Sequence, residues 1–105
     1  MDPISIGGWQ KAMPETILFL QSEINYTHIH FVNGDVLKVA YTLKRLEKRF
    51  VDFPHFYRVN RSYLVNMKYM TGYDSEKAEV IMQNGHHISV ARRRRLKFRK
   101  TFKLK

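Results

Sequence analysis

The chain has no cysteine, so no disulfide framework, thiolate metal site or cysteine nucleophile can form. That absence agrees with a reducing compartment. No apolar run approaches the roughly 20 residues that span a bilayer. The start of the chain lacks a basic-then-apolar signal pattern. A cytoplasmic protein with no membrane partner is expected. Acids are scarce, nine Asp and Glu against nineteen Lys and Arg. Their one close cluster, Asp74, Glu76 and Glu79, falls in a turn before a strand-like stretch. No serine stands with a base at a recognisable spacing, and there is no GxGxxG or Walker-type loop. An enzyme is therefore not expected. The five histidines include His28 and His30 on one strand face and His86-His87 adjacent at a turn, without HExxH spacing. Exposed polar strand residues explain them, and neither a metal nor a cofactor is expected.

What remains is a foldable composition with a strong charge imbalance. Hydrophobic residues make up 44% and aromatics 13%, too many for a disordered chain. The 105 residues suit a single domain, 1–105 with a core of about 15–102, since no linker or low-complexity segment divides them. The formal net charge is +10 and unevenly placed. Residues 1–35 are net −3, 36–73 net +6, 74–90 net −2, and 91–105 carry nine bases and no acid. Clustered charge of one sign makes a directional field, the usual footprint of a nucleic-acid binder. Acidic lipid and acidic protein are the other partners such a field attracts.

Hydrophobic period sets the expected elements. Residues 4–6 form a short strand ended by Gly7-Gly8, and 9–13 are ambiguous before Pro14. Residues 16–20 are nearly all apolar and predict a strand buried on both faces. Residues 25–32 alternate, with Ile29 and Phe31 inward and Tyr26, His28 and His30 on the other face. Asn33-Gly34 and Asn84-Gly85 each separate two strand-like runs, the strongest short hairpin signal. Over 42–50 the period changes: Leu43, Leu46 and Phe50 share a helical face, Thr42 is a fitting N-cap, and Pro54 blocks extension. Residues 56–59 and 63–65 are strand-like or turn-like, and 69–73 are another short strand. From Arg92 a helix is expected, with Phe98 and Phe102 on one face and Leu96 off it. The fold class is mainly β, about seven or eight short antiparallel strands with a mid-chain helix and a C-terminal helix.

The most unusual segment is Arg58-Val59-Asn60-Arg61-Ser62-Tyr63-Leu64-Val65-Asn66, where arginines and amides interrupt an apolar strand. Arg58 and Arg61 are three apart, so an extended chain sends them to opposite faces. One can anchor through a phosphate or an internal acid while the other reaches a base edge. Arginine is the best bidentate reader of guanine and a good phosphate ligand. Asn60 and Asn66 suit either adenine or backbone capping, and capping is the expectation for Asn66 and Ser62. Tyr57 and Tyr63 can pack or stack. Arg92, Arg93, Arg94 and Arg95 cover all sides of one helical turn and cannot all face one partner.

That segment resembles the signature of the LytTR family of bacterial DNA-binding domains. Ile17-Leu18-Phe19-Leu20 with Asn25-Tyr26-Thr27 resembles the family's opening strand pair, and Thr42-Leu43-Lys44-Arg45-Leu46-Glu47 its short helix. Asn84-Gly85 followed by Ile88-Ser89-Val90-Ala91-Arg92 resembles its closing hairpin and arginine. The likeness runs from about Ile17 to Phe102. It implies short antiparallel sheets packed in a sandwich. It also implies sequence-specific double-stranded DNA binding for transcriptional regulation, with loop side chains entering successive grooves. By position, the implied base or groove contacts are Tyr26, Asn60, Arg61 and Arg92. Weaker candidates for phosphate are Lys44, Arg45, Lys48, Lys68, Arg93 and Arg94. Many members carry histidine where this chain has Asn60 and serine where it has Ala91. Family members often follow a phosphorylated receiver domain served by a sensor kinase, for which 105 residues leave no room. A stand-alone regulator or an excised C-terminal domain is expected, binding DNA as paired direct repeats. Two rivals use the same charge. A single-strand or RNA binder would stack bases on exposed tyrosines. A protein-interaction domain would use strand edges or the Phe98/Phe102 face.

Overall fold

A computed structural model describes residues 2–104; Met1 and Lys105, the ends of the expected 1–105 domain, lie outside the described residues. Among the described residues ten strands and two short α-helices follow one another: β1 Ile4–Gly7, β2 Gln10–Ala12, β3 Ile17–Glu23, β4 Tyr26–Phe31, β5 Val36–Val39, α1 Leu43–Arg49, β6 Phe56–Asn60, β7 Tyr63–Asn66, β8 Met70–Asp74, β9 Glu79–Met82, β10 His87–Ser89 and α2 Arg95–Thr101. The mainly β fold with a mid-chain and a C-terminal helix is therefore present. The strand count exceeds the expected seven or eight partly because the ambiguous stretch after Trp9 is β2, paired with β1.

All strand pairs are antiparallel. The central sheet has the order β5-β4-β3-β7-β6, a second has β10-β9-β8, and β1-β2 is a separate hairpin. β3 is central because its apolar run can be covered on both faces. A bulge between Ile17 and Phe19 breaks the period of two. As a result Ile17 and Leu20 join one core cluster, and the adjacent Leu18 and Phe19 join the other.

The first cluster lies between the central sheet, α1 and the β1-β2 hairpin. It gathers Ile6, Ile17, Leu20, Ile29, Leu43, Leu46, Phe50 and Leu64. The expected apolar face of α1 is thus buried, and the Thr42 hydroxyl caps the helix by accepting from the Arg45 N–H at 3.2 Å. The second cluster joins the other sheet face to the β8-β9-β10 sheet and α2. Phe98 is fully buried there, edge-on to Tyr57 with ring centroids 5.4 Å apart, and Phe102 lies 5.3 Å from the same ring. Phe98 is thus committed to this protein's own core, and Phe102 packs half-buried against it. Leu96 is exposed, as its position off that face predicts.

Both expected Asn-Gly hairpins form. Gly34 has φ +98 and Gly85 φ +89, conformations that side chains with a Cβ resist. Among the described residues no helix is long and apolar enough to cross a membrane.

Candidate nucleic-acid interface

Antiparallel pairing brings distant parts of the chain to one end of the central sheet. β3 ends and β4 begins there, with Glu23 opposite Tyr26 across the two-residue turn Ile24-Asn25. β5 runs back to the same end, where Val39 faces Thr27. The buried Thr27 hydroxyl donates to the Tyr41 carbonyl at 2.8 Å, which fixes the chain just before α1. β6 and β7 turn there through Arg61, with Asn60 opposite Tyr63.

Three hydrogen bonds tie these loops together. The Ser22 N–H donates to the Ser62 carbonyl at 2.8 Å, joining the first loop to the second. The Asn60 amide donates to the Ser89 carbonyl at 2.6 Å, and the Ala91 N–H donates to the Val59 carbonyl at 2.8 Å, joining the second to the third. A bulge between Arg58 and Asn60 makes the last link available. β6 is an edge strand, so its free carbonyls can receive the chain that leads into Arg92.

The arginines divide into an anchor and an outward residue as expected, though the reason is that Arg58 lies in β6 and Arg61 in the turn beyond it, not opposite faces of one extended strand. Arg58 is the internal anchor: its guanidinium donates to Glu47 of α1 at 2.7 Å, to the Asn60 carbonyl at 2.8 Å and to the Arg61 carbonyl at 2.6 Å. This half-buried fork holds the Arg61 turn to the helix. Arg61 itself is exposed. In the third loop Arg92 and Arg93 are exposed on a 3-10 turn, Arg92–Arg94. Arg94 is half-buried and donates to the Arg58 carbonyl at 3.0 Å, and Arg95 to the Val90 carbonyl at 3.0 Å. One pair of the arginine run therefore faces outward and the other docks the run.

Asn60 is more committed than its sequence position suggests. Besides donating to Ser89, its carbonyl oxygen accepts from the Ser62 N–H at 2.7 Å, which leaves one amide hydrogen free. Asn66 caps backbone groups as expected, donating to Ile17 at 2.9 Å and accepting from the Lys68 N–H at 3.1 Å. Tyr57 and Tyr63 pack in the second cluster. Tyr26 is exposed at the loop end, with the Lys38 ammonium 4.6 Å from its ring centre. Lys38 was not singled out from the sequence; its place opposite His28 in a hairpin beginning at Tyr26 is the signal.

Lys44, Arg45 and Lys48 are exposed on α1, and the Arg45 guanidinium lies 3.9 Å over the Tyr41 ring. Lys68 is not brought into this group. It lies in the 3-10 turn Met67–Tyr69 at the far end of β7 from Arg61. Two of the histidines are half-buried and engaged: His28 pairs with Glu23 at 2.9 Å and His30 with Gln21 at 3.2 Å. The His28 and Lys38 partners hold the Glu23 carboxyl below its ordinary pKa. Among the described residues no group of three or more His, Asp or Glu is placed to hold a metal ion.

Comparison with known proteins adds three findings. The family model of the LytTr DNA-binding domain matches residues 9–103. A segment of 54 residues, 51% of this chain, is 44% identical to the sensory transduction protein LytT of Oceanobacillus iheyensis, of which it spans only 22%. The fold is similar to that of the LytTr DNA-binding domain of a Bacillus cereus protein described as a methyl-accepting/DNA response regulator. That likeness has a TM-score of 0.77 at 19% identity and covers 96% of this chain and 94% of the other.

Proposed function

The chain belongs to the LytTr DNA-binding domain family, and on that footing we propose that it binds double-stranded DNA sequence-specifically to regulate transcription, its loop side chains reading successive grooves. The family is one of DNA-binding domains and not of enzymes. The observation that carries the finer proposal is the single end of the sheet at which three hydrogen-bonded loops present Tyr26, Arg61 and Arg92 together, each exposed.

In this proposal Arg61 and Arg92 reach base edges, and Tyr26 enters a groove from the first loop. Asn60 sets the Arg61 turn and has one amide hydrogen left for a base. Arg93, Lys44, Arg45 and Lys48 hold phosphates, Arg94 with the hydrogens its docking bond leaves free, and Lys68 is the weakest candidate. Phosphate contacts position the protein, and the loop side chains give sequence preference. One domain with a core of about 15–102 carries the whole function. Working in the cytoplasm on paired direct repeats, it answers a receiver domain or sensor kinase acting upstream.

Selection from a random duplex pool tests this, with the wild type beside an Arg61→Ala/Arg92→Ala variant at near-physiological salt. A sequence enriched by the wild type and lost by the folded variant is the expected result. No enrichment by a folded wild type would overturn specific duplex reading. A preference for unpaired strands would favour the stacking rival instead.

A further inference from the structure

Ile24 is a residue for which the fold has no use. It is the first of two residues joining β3 to β4, it is 91% exposed, and its backbone has φ +53. A β-branched residue at positive φ crowds its own backbone. Glycine or asparagine is the usual occupant of such a hairpin position. Neither the strain nor the exposed apolar surface helps the chain fold, so the side chain finds its reason outside the protein.

Its surroundings say what it meets. Ser22, two residues earlier, donates to the Ser62 carbonyl, so the Ile24 turn lies beside the Arg61 turn. Two residues later comes Tyr26 with Lys38 over its ring, and Lys38 also lies 3.4 Å from Glu23. Ile24 is an apolar tip beside the three-loop site, where Arg61 and Arg92 are the exposed cations while Lys38 is paired with Glu23. The partner proposed for that site is a polyanion, and a contact with Ile24 requires it to offer a small apolar group. In a duplex the apolar element on the floor of the major groove is the C5-methyl of thymine.

We propose that Ile24 is a specificity-determining residue that packs against a thymine methyl in the groove entered by the first loop. The inference rests on the proposed sequence-specific duplex reading and deepens it by naming a base. It also explains the choice of side chain: asparagine would relax the turn but has no apolar surface to offer a methyl group.

The test titrates wild type and Ile24→Asn against the duplex the wild type selects. In companion duplexes each thymine is replaced singly by deoxyuridine, which removes only the methyl. One replacement is expected to weaken the wild type about fourfold, the scale for burying one methyl group. Ile24→Asn should bind thymine and uracil versions equally, with a melting temperature at or above that of wild type. A wild type indifferent to every replacement overturns the proposal, as does a variant that still responds to the methyl, or a selected site without a conserved A·T pair. An Arg61→Ala control separates the two levels. If it loses sequence preference while the methyl has no effect, only the Ile24 inference fails. If it binds every duplex as the wild type does, or if the wild type selects no duplex at all, specific reading fails and the Ile24 inference with it.

Discussion

Arg58 and Arg61 share a side chain and lie three positions apart, yet only one is free for a ligand. Arg58 is held by Glu47 and by two carbonyls of its own turn, whereas Arg61 is exposed. Arg61→Ala is expected to cost about 1–3 kcal/mol on the preferred duplex and to relax specificity there. Competition binding checks this, and an equal loss on every sequence would remove its base-reading role. Asn66 behaves in the opposite way. It is buried and serves backbone groups of Ile17 and Lys68, so Asn66→Ala should lose about 1–3 kcal/mol in denaturant unfolding. Its sequence preference should be unchanged. His30 supplies a pH prediction. Burial, then the nearby His86 and His28 imidazoles, holds it below the ordinary 6.5. The unfolded chain therefore takes up this proton first as pH falls. The contribution to stability is complete above about pH 6.5 and is lost as pH drops through that value toward the lowered one. His30→Gln should flatten the dependence of the unfolding midpoint on pH in that window. An unaltered slope in the variant would assign the dependence to another group.

Elements matter here mainly as ties between loops. The bulge in β6 gives Val59 and Arg58 carbonyls to the third loop, through the Ala91 N–H and the Arg94 guanidinium. The arginine run is thus docked on β6 from one side and by α2 from the other. α2 is only seven residues long and has no side-chain N-cap. Isolated helices of that length are not stable in water, so its order depends on Phe98 in the second cluster. Phe98→Ala should destabilise the protein by about 3–5 kcal/mol and loosen the Arg92 turn. Hydrogen exchange would show protection lost first across α2 and the third loop. Uniform loss across both sheets would mean that the helix does not unfold as a separate unit.

On the scale of the whole molecule, the +10 charge explains attraction to a polyanion but not where the polyanion sits. Placement comes from the sheet, which carries Lys38, Arg61 and Arg92 to one end and Lys68 to the other. Lys48→Ala should weaken all duplexes alike and reduce the slope of log K against log salt by about one unit. Lys68→Ala, the weakest phosphate candidate, should reduce that slope by less. Equal effects from both lysines would mean a footprint that follows net charge and not the loop end.

Much of this protein was legible in its residues because the relevant interactions are local. Asn33-Gly34 and Asn84-Gly85 dictate hairpins through backbone sterics, and Thr42 starts a helix whose apolar face is spaced in the sequence. The absence of cysteine and the arrangement of the bases were equally plain, as was the resemblance around Arg58 to Asn66. Spacing suggested that Arg58 and Arg61 part ways, but the structure separates them by placing Arg58 in β6 and Arg61 in the turn beyond it. Tertiary structure decided what depends on contacts between distant segments. It engaged both ends of the Asn60 amide, tied Arg94 to a carbonyl 36 positions away and buried Phe98 with Phe102 packed against it. It left Ile24 strained and exposed beside Arg61, which no local pattern announces. The physical reason is that a side chain's donors and apolar surface are fixed by its chemistry, but whether they are already occupied depends on which strand pairs beside it.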